Sequence, residues 1–119
     1  MTNHYTLIDP NAIQTNLMQN TALIQQFLQL YLVQIPLDLD ALKEAMSKEE
    51  HIEIANKAHH IKPTMEYIGA IELRSALQEL ETAAKNGHEL LQLKNMFEAL
   101  LPQFETLLTE IKEYLDKLP

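Results

Sequence analysis

The chain has 119 residues and a formal net charge of −8, and it contains no cysteine. An acidic surface repels nucleic-acid phosphates and anionic lipid, so neither is an expected partner. The lack of cysteine excludes disulfides and thiolate chemistry, and no apolar run approaches the roughly 18 residues that would span a bilayer. No signal-peptide pattern opens the chain. We therefore expect a single cytoplasmic domain over residues 1–119.

Apolar residues recur at intervals of three and four along most of the chain, a spacing that predicts helices. The first helix should begin at Asp9 and Pro10, with Asp9 as the N-cap. A longer helix is predicted from about residue 21 to 46, and Pro36 within it should bend this helix without ending it. Its predicted buried side comprises Phe27, Leu30, Tyr31, Ile35, Leu39, Leu42 and Met46.

Two central helices are predicted next. Ser47, followed three residues later by Glu50, is typical of a capping box and predicts the start of the third helix. The fourth helix should cover residues 70–85 and close at Gly87, which can adopt the left-handed conformation that is common just past a helix end.

The fifth helix is predicted from about residue 88 to 118, where Pro102 either bends it or divides it in two. Short links between long amphipathic helices favour antiparallel neighbours. We therefore expect an all-α fold, an up-down antiparallel four-helix bundle with a short extra N-terminal helix. Bundles of this kind host many functions, so the fold alone does not identify one.

The third helix carries two adjacent histidines with different predicted orientations. At about 100° per residue, His59 lies about 140° from the core position Ile54, on the side of Ala55 and Lys62, so it is expected at the surface. His60 points to the other flank. The two rings diverge by about 100° and cannot readily share a ligand.

The predicted surroundings of His59 suit phosphoryl chemistry. A histidine side chain is largely neutral at physiological pH, and an accessible neutral imidazole is a nucleophile. Ala55 leaves space on one side, and Lys62 can reach back to pair with phosphoryl oxygens. Most surface histidines beside a lysine are simply solvated, so the spacing permits a phosphoacceptor without identifying one.

Residues 58–64 read Ala-His-His-Ile-Lys-Pro-Thr, and residues 68–70 read Ile-Gly-Ala. They resemble the pattern of the histidine-containing phosphotransfer (HPt) family of bacterial phosphorelays, which is Ala-His-x-aliphatic-Lys-Gly-small followed by aliphatic-Gly-Ala. The similarity covers about residues 21–87. Its downstream part comprises Leu73, Leu77, the Leu80-Glu81 pair and Asn86-Gly87.

This resemblance implies a role for each matching residue. It implies that His59 is the phosphoacceptor, that Lys62 stabilises the phosphoryl group, and that Gly69 lets the two central helices pack closely. His60 falls at a variable position of the family pattern. Pro63 stands where the family most often has glycine, and because proline has no N–H to donate to the His59 carbonyl, a local bend is expected there.

The resemblance also implies partners. A phosphoryl group would pass reversibly between His59 and an aspartate of a response-regulator receiver domain, with a hybrid histidine kinase as a further partner. The receiver would supply Mg²⁺, so the chain is expected to need no cofactor or metal of its own. Since the sequence has no Gly-rich phosphate loop, we expect no kinase activity of its own. The resemblance thus implies a phosphocarrier, which is expected to be a monomer.

Two alternatives lead to different functions. A di-iron or other metal-binding bundle would need Glu-x-x-His pairs, but no histidine has a glutamate three residues before it. A non-catalytic adaptor, which binds a receiver or a kinase without phosphotransfer, is the stronger alternative. The presence of both His59 and Lys62 argues against it, since an adaptor has no chemical need for either. Met1 and the predicted first turn favour a free-standing protein over a piece of a hybrid kinase.

Overall fold

The computed structural model describes residues 5–119, and all regular structure within that range is helical. The helices are α1 (Pro10–Asn16), α2 (Thr21–Ser47), α3 (His51–Tyr67), α4 (Ile71–Lys85) and α5 (Leu90–Lys117). Links of only three or four residues join the four long helices. The prediction of an all-helical fold is confirmed. Within the described range, no helix has both the length and the apolar character needed to cross a membrane.

The first helix begins where the sequence predicts. Asp9 is the N-cap of α1 and its side chain accepts a hydrogen bond from the Asn11 N–H at 3.0 Å, with Pro10 at the first helical position. The predicted end of the fourth helix is also confirmed, because Gly87 adopts a left-handed φ of 73° just after α4.

The third helix begins later than the sequence predicts. Ser47 is the last residue of α2, and its hydroxyl donates to the Lys43 carbonyl at 3.1 Å. Glu49 turns the chain with a φ of 58°, and Glu50 is the N-cap of α3 without a side-chain hydrogen bond. The predicted capping box is therefore wrong, because the Ser47 hydroxyl is bonded to the helix before it.

Three prolines lie inside helices that continue through them. Pro36 lies in α2, Pro63 in α3 and Pro102 in α5. Pro36 does not end its helix, as predicted, and Pro102 does not divide α5. The local bend expected at Pro63 stays a prediction.

The core is centred on α3, which packs against α1, α2 and α4, while α5 closes the bundle against α2 and α4. On α2 the predicted burial of Leu30 is wrong, since this residue is 52% exposed. Apolar residues cover more than one side of α2, so their spacing did not define the buried stripe uniquely. The buried residues of α2 are Ile24, Leu28, Tyr31, Ile35, Asp38, Leu42, Ala45 and Met46.

The link between α3 and α4 is shaped by its contact with α1. Gly69 has a φ of 71°, and a Cβ atom there would lie 2.5 Å from the Asp9 Cβ and 2.8 Å from the Ala12 Cβ. The Asp9 N–H donates to the Ile68 carbonyl at 2.9 Å. Gly69 is thus required for the close approach of α1. A role in the packing of the two central helices stays a prediction.

The two glycines give a matched pair for testing this contact. Gly69→Ala should lower the free energy of unfolding by about 2–4 kcal/mol, because it adds both left-handed strain and a steric clash. Gly87→Ala should cost only about 1 kcal/mol, since Gly87 has the same backbone strain but no atom within 4 Å of the added Cβ. Urea denaturation of both variants measures the difference, and equal losses would contradict the proposed contact with α1.

Candidate functional site

The side chain of His59 lies at the surface, where the sequence places it. It is 66% exposed, and its Nδ1 atom lies 3.2 Å from Oε1 of Glu81 on α4. Because the two nitrogens lie on different sides of an imidazole ring, the contact of Nδ1 with α4 directs Nε2 away from Glu81. The ring is therefore held through Nδ1, and Nε2 faces away from this contact.

Glu81 is a buried carboxylate that contacts three side chains at once. Its own side chain is only 4% exposed. Oε1 accepts a hydrogen bond from Lys62 at 2.7 Å in addition to facing His59, and Oε2 accepts one from Lys85 at 2.8 Å. A buried charge is tolerated only with such partners, so these contacts are what allows a carboxylate at this position.

These partners keep Glu81 ionised. Burial alone would raise the pKa of Glu81, but hydrogen bonds from Lys62, Lys85 and His59 outweigh it and lower this pKa to about 2. An ionised carboxylate can only accept hydrogen bonds. We therefore assign the proton of the neutral His59 ring to Nδ1, which makes Nε2 the nitrogen with the free lone pair.

Lys62 does not lie on the exposed flank that the helical spacing predicts. Its side chain is only 11% exposed, and its ammonium group donates to Glu81 and to Oε1 of Gln78. Ala55, which was also expected beside His59 at the surface, is buried. Both placements are wrong for the same reason: α3 is the central helix, so helices on several sides widen its buried stripe beyond one face.

His60 lies on the opposite flank of α3, as predicted. Its side chain is 69% exposed, and its Nε2 atom lies 3.7 Å from Oδ1 of Asp38 on α2. The same Asp38 oxygen accepts a hydrogen bond from the Gln34 amide at 2.9 Å. The two neighbouring histidines thus face carboxylates of two different helices and do not form a common site.

Pro63 is exposed at the surface one turn after His59. It lines a shallow cleft together with Asn16, Glu66 and Tyr67. The Asn16 amide donates to the Glu66 and Tyr67 carbonyls, both at 3.2 Å. These two hydrogen bonds from α1 therefore satisfy carbonyl groups in the last turn of α3, the helix that carries His59.

Glu81 is the site residue that the sequence analysis missed as a functional group. The sequence does contain a signal for it, because Glu81 lies four residues after Leu77 and three before Ala84, on the apolar side of the helix. A carboxylate on the apolar side of a helix is rarely buried without a charged partner. Among residues 5–119, no group of three histidine, aspartate or glutamate side chains could hold a metal ion.

The lowered pKa of Glu81 links folding to pH. A carboxyl whose pKa falls from 4.5 to about 2 on folding adds stability above pH 4.5, on the order of 3 kcal/mol, and this is lost as the pH falls toward 2. The loss of unfolding free energy caused by Glu81→Gln should therefore be large at pH 7 and shrink below pH 4.5. Chemical denaturation at several pH values measures it.

The control for this experiment is Glu79→Gln, which changes an exposed carboxyl on the same helix. This variant should leave the unfolding free energy at pH 7 nearly unchanged. A Glu81→Gln deficit that is equally large at pH 7 and at pH 3 would contradict the assigned ionisation.

The comparisons with known proteins identify the family. The family model of the Hpt domain matches residues 26–118, a range that contains His59, Lys62 and Glu81 and excludes α1. No curated protein and no solved structure matches the chain significantly. Hpt domains are helical phosphocarriers of two-component phosphorelays. Since the match covers most of the chain, the protein belongs to the Hpt domain family.

Proposed function

We propose that this protein carries a phosphoryl group on Nε2 of His59 and exchanges it reversibly with an aspartate of response-regulator receiver domains. The observation that carries the proposal is the contact between Nδ1 of His59 and the buried, ionised Glu81. It leaves Nε2 unprotonated on a surface-exposed ring. Membership of the Hpt domain family supports the same chemistry.

The transfer step balances without any further reactant. Nε2 of His59 attacks the phosphorus of the receiver's aspartyl phosphate, the N–P bond forms, and the acyl O–P bond breaks to release the aspartate as a carboxylate. The proton stays on Nδ1, so the ring becomes positively charged as it takes up the phosphoryl group. Glu81 stabilises that charge by accepting the Nδ1 hydrogen bond. In the reverse step the N–P bond breaks and the ring leaves as neutral imidazole.

In this proposal Lys62 stabilises the phosphoryl group from a fixed position. An ammonium group has three N–H donors, and contacts to Glu81 and Gln78 hold Lys62 in place, so a third donor remains for a phosphoryl oxygen. Pro63, one turn after His59, is compact, and Ala55, one turn before it, is buried, so in this proposal neither blocks the approach to Nε2.

We further propose that the receiver contributes the Mg²⁺ ion and that this chain contributes no cofactor. A hybrid histidine kinase is the proposed partner besides the receiver. The chain would act as a monomer and as one domain over residues 1–119, with a phosphocarrier role and without kinase activity of its own. The proposed location is the cytoplasm, where receiver domains act.

An up-down antiparallel arrangement of the four long helices is part of the proposal. The contacts between α3 and α4 join residues in opposite order along the two helices: His59 with Glu81, Lys62 with Gln78, and Glu66 with Arg74. His51 at the start of α3 contacts His88, just past the end of α4. Gln25 near the start of α2 donates to the Pro119 carbonyl at 3.1 Å, just past the end of α5. The short links between helices favour the same arrangement.

The assignment of His59 is tested by incubating the protein with phosphorylated receiver domains and detecting acid-labile phosphate. His59→Gln should abolish labelling, because it removes the nucleophile. His60→Gln is the matched control and should be labelled almost as well as the wild type. Labelling that survives the first change and disappears with the second would overturn the assignment.

The same experiment decides between transfer and the adaptor alternative. An adaptor would bind receivers, for example in a pull-down or by calorimetry, and would never become labelled. Binding of several receivers without labelling of the wild type would therefore reject phosphotransfer and support the adaptor function.

The role of Glu81 is tested by NMR of protein carrying ¹⁵N-labelled histidine. The wild type should show His59 protonated at Nδ1, whereas Glu81→Gln should show a mixture of the two neutral forms and roughly 10- to 100-fold slower phosphotransfer, because a charge-assisted hydrogen bond is lost. Asp38→Asn is the control, since it changes the carboxylate facing His60 and should leave the His59 signals unchanged. Identical His59 spectra in wild type and Glu81→Gln would contradict the proposal.

A further inference from the structure

A second lysine contacts the carboxylate that holds His59. Lys85 on α4 donates to Oε2 of Glu81 at 2.8 Å, whereas His59 and Lys62 face Oε1. The Lys85 side chain is 62% exposed, in contrast to the buried Lys62. The site therefore contains one fixed cation in the interior and one accessible cation at its edge.

The contacts between α3 and α4 show on which side of His59 this lysine lies. Glu81 contacts His59, and in the link just past the end of α4 the His88 carbonyl lies 2.7 Å from Nε2 of His51. Lys85 lies between Glu81 and His88 in the chain, so it lies opposite the turns of α3 that come before His59. The α3 residue one turn before His59 on this side is Ala55, whose small side chain is buried.

Lys62 approaches from the other direction. It contacts Gln78, which lies one turn before Glu81 on α4. Lys85 lies one turn after Glu81, so the two contacts are on opposite sides of the carboxylate. The two lysines therefore contact Glu81 from opposite directions along α4. One ammonium group is fixed and the other is accessible, and both lie beside the carboxylate that holds His59.

Phosphorylation changes the charge balance of this group of side chains. Before the step, two ammonium groups face one carboxylate. The phosphoryl group brings up to two negative charges, and the ring of His59 gains one positive charge. The charge of Glu81 balances that of Lys62, and the ring charge balances one charge of the phosphoryl group, so the second phosphoryl charge is balanced only by Lys85.

We propose that Lys85 is a second cation for the phosphoryl group, which it contacts in exchange for Glu81 once His59 is phosphorylated. Rotation about bonds of an exposed, flexible side chain is enough for this movement. Glu81 keeps its hydrogen bonds with Lys62 and with Nδ1 of His59, so the buried carboxylate is never without a charged partner. This inference rests on the proposed function of His59.

The test uses the full chain and phosphoramidate, a small donor that transfers its phosphoryl group without a docking partner. Lys85→Gln should be phosphorylated about tenfold more slowly than the wild type, since it loses one charge-assisted contact to the phosphoryl group. Lys85→Arg keeps the charge and should react at close to the wild-type rate. The deficit of Lys85→Gln should shrink at high salt, because exposed charges are screened.

Lys57→Gln is the matched control for the loss of a lysine. Lys57 lies two residues from His59, but it lines the side of α3 that faces Ala41 and Glu44 of α2. This variant should react at the wild-type rate. The ³¹P signal of phosphorylated His59 should shift in Lys85→Gln and stay unchanged in Lys57→Gln, because of these two lysines only Lys85 is proposed to contact the phosphoryl group.

The outcomes separate this inference from the function on which it rests. If the wild type is labelled at His59 and Lys85→Gln has the same rate and the same ³¹P signal, only the role of Lys85 is overturned. The same conclusion follows if Lys85→Gln changes the ¹⁵N signals of the unphosphorylated His59 ring without changing the ³¹P signal, since Lys85 then acts only through Glu81. If the wild type is never labelled, by phosphoramidate or by receivers, the function and the inference are both rejected.

Discussion

A single buried carboxylate determines the chemistry at the surface of this bundle. Glu81 lies on the inner side of α4, and it is tolerated there because charged or polar groups from two helices contact it. Those contacts keep it ionised, and an ionised acceptor determines which nitrogen of His59 carries the proton. They also draw Lys62 into the interior. The protonated nitrogen of the exposed His59 is therefore determined by buried contacts between α3 and α4.

A second buried carboxylate, Glu110, anchors the segment that precedes α1. Glu110 on α5 accepts hydrogen bonds from the backbone N–H groups of Thr6, Leu7 and Ile8, at 2.9 to 3.0 Å. Burial raises the pKa of Glu110, but these bonds outweigh it and lower that pKa overall. The anchored segment leads directly into α1, which packs against the end of α3. Residues 6–8 and α1 lie outside the range that matches the Hpt domain family, whereas Glu110 lies within it.

Short sequence patterns predicted the helices well. They failed for side chains whose position depends on contacts with another helix. The Asp9 cap and the left-handed Gly87 depend on a few adjacent residues, and both are confirmed. Ser47 has the residue type of an N-cap, but its hydroxyl had a competing acceptor in the preceding helix. Lys62 was placed at the surface because the helical period assumes one buried face, whereas α3 is enclosed on several sides. The role of Glu81 was missed because it depends on contact with His59, which lies 22 residues earlier in the sequence.

The two adjacent histidines show why exposure is a poor guide to reactivity in this fold. His59 and His60 are almost equally exposed, at 66% and 69%. The difference lies in which nitrogen faces the protein. In His60 it is Nε2 that faces α2, toward an Asp38 oxygen already bonded to Gln34. In His59 it is Nδ1 that faces α4, so Nε2, the nitrogen farther from the backbone, is left for a partner. In the proposed transfer a receiver aspartate approaches that outer nitrogen in line, and of the two adjacent histidines it is His59 that presents it.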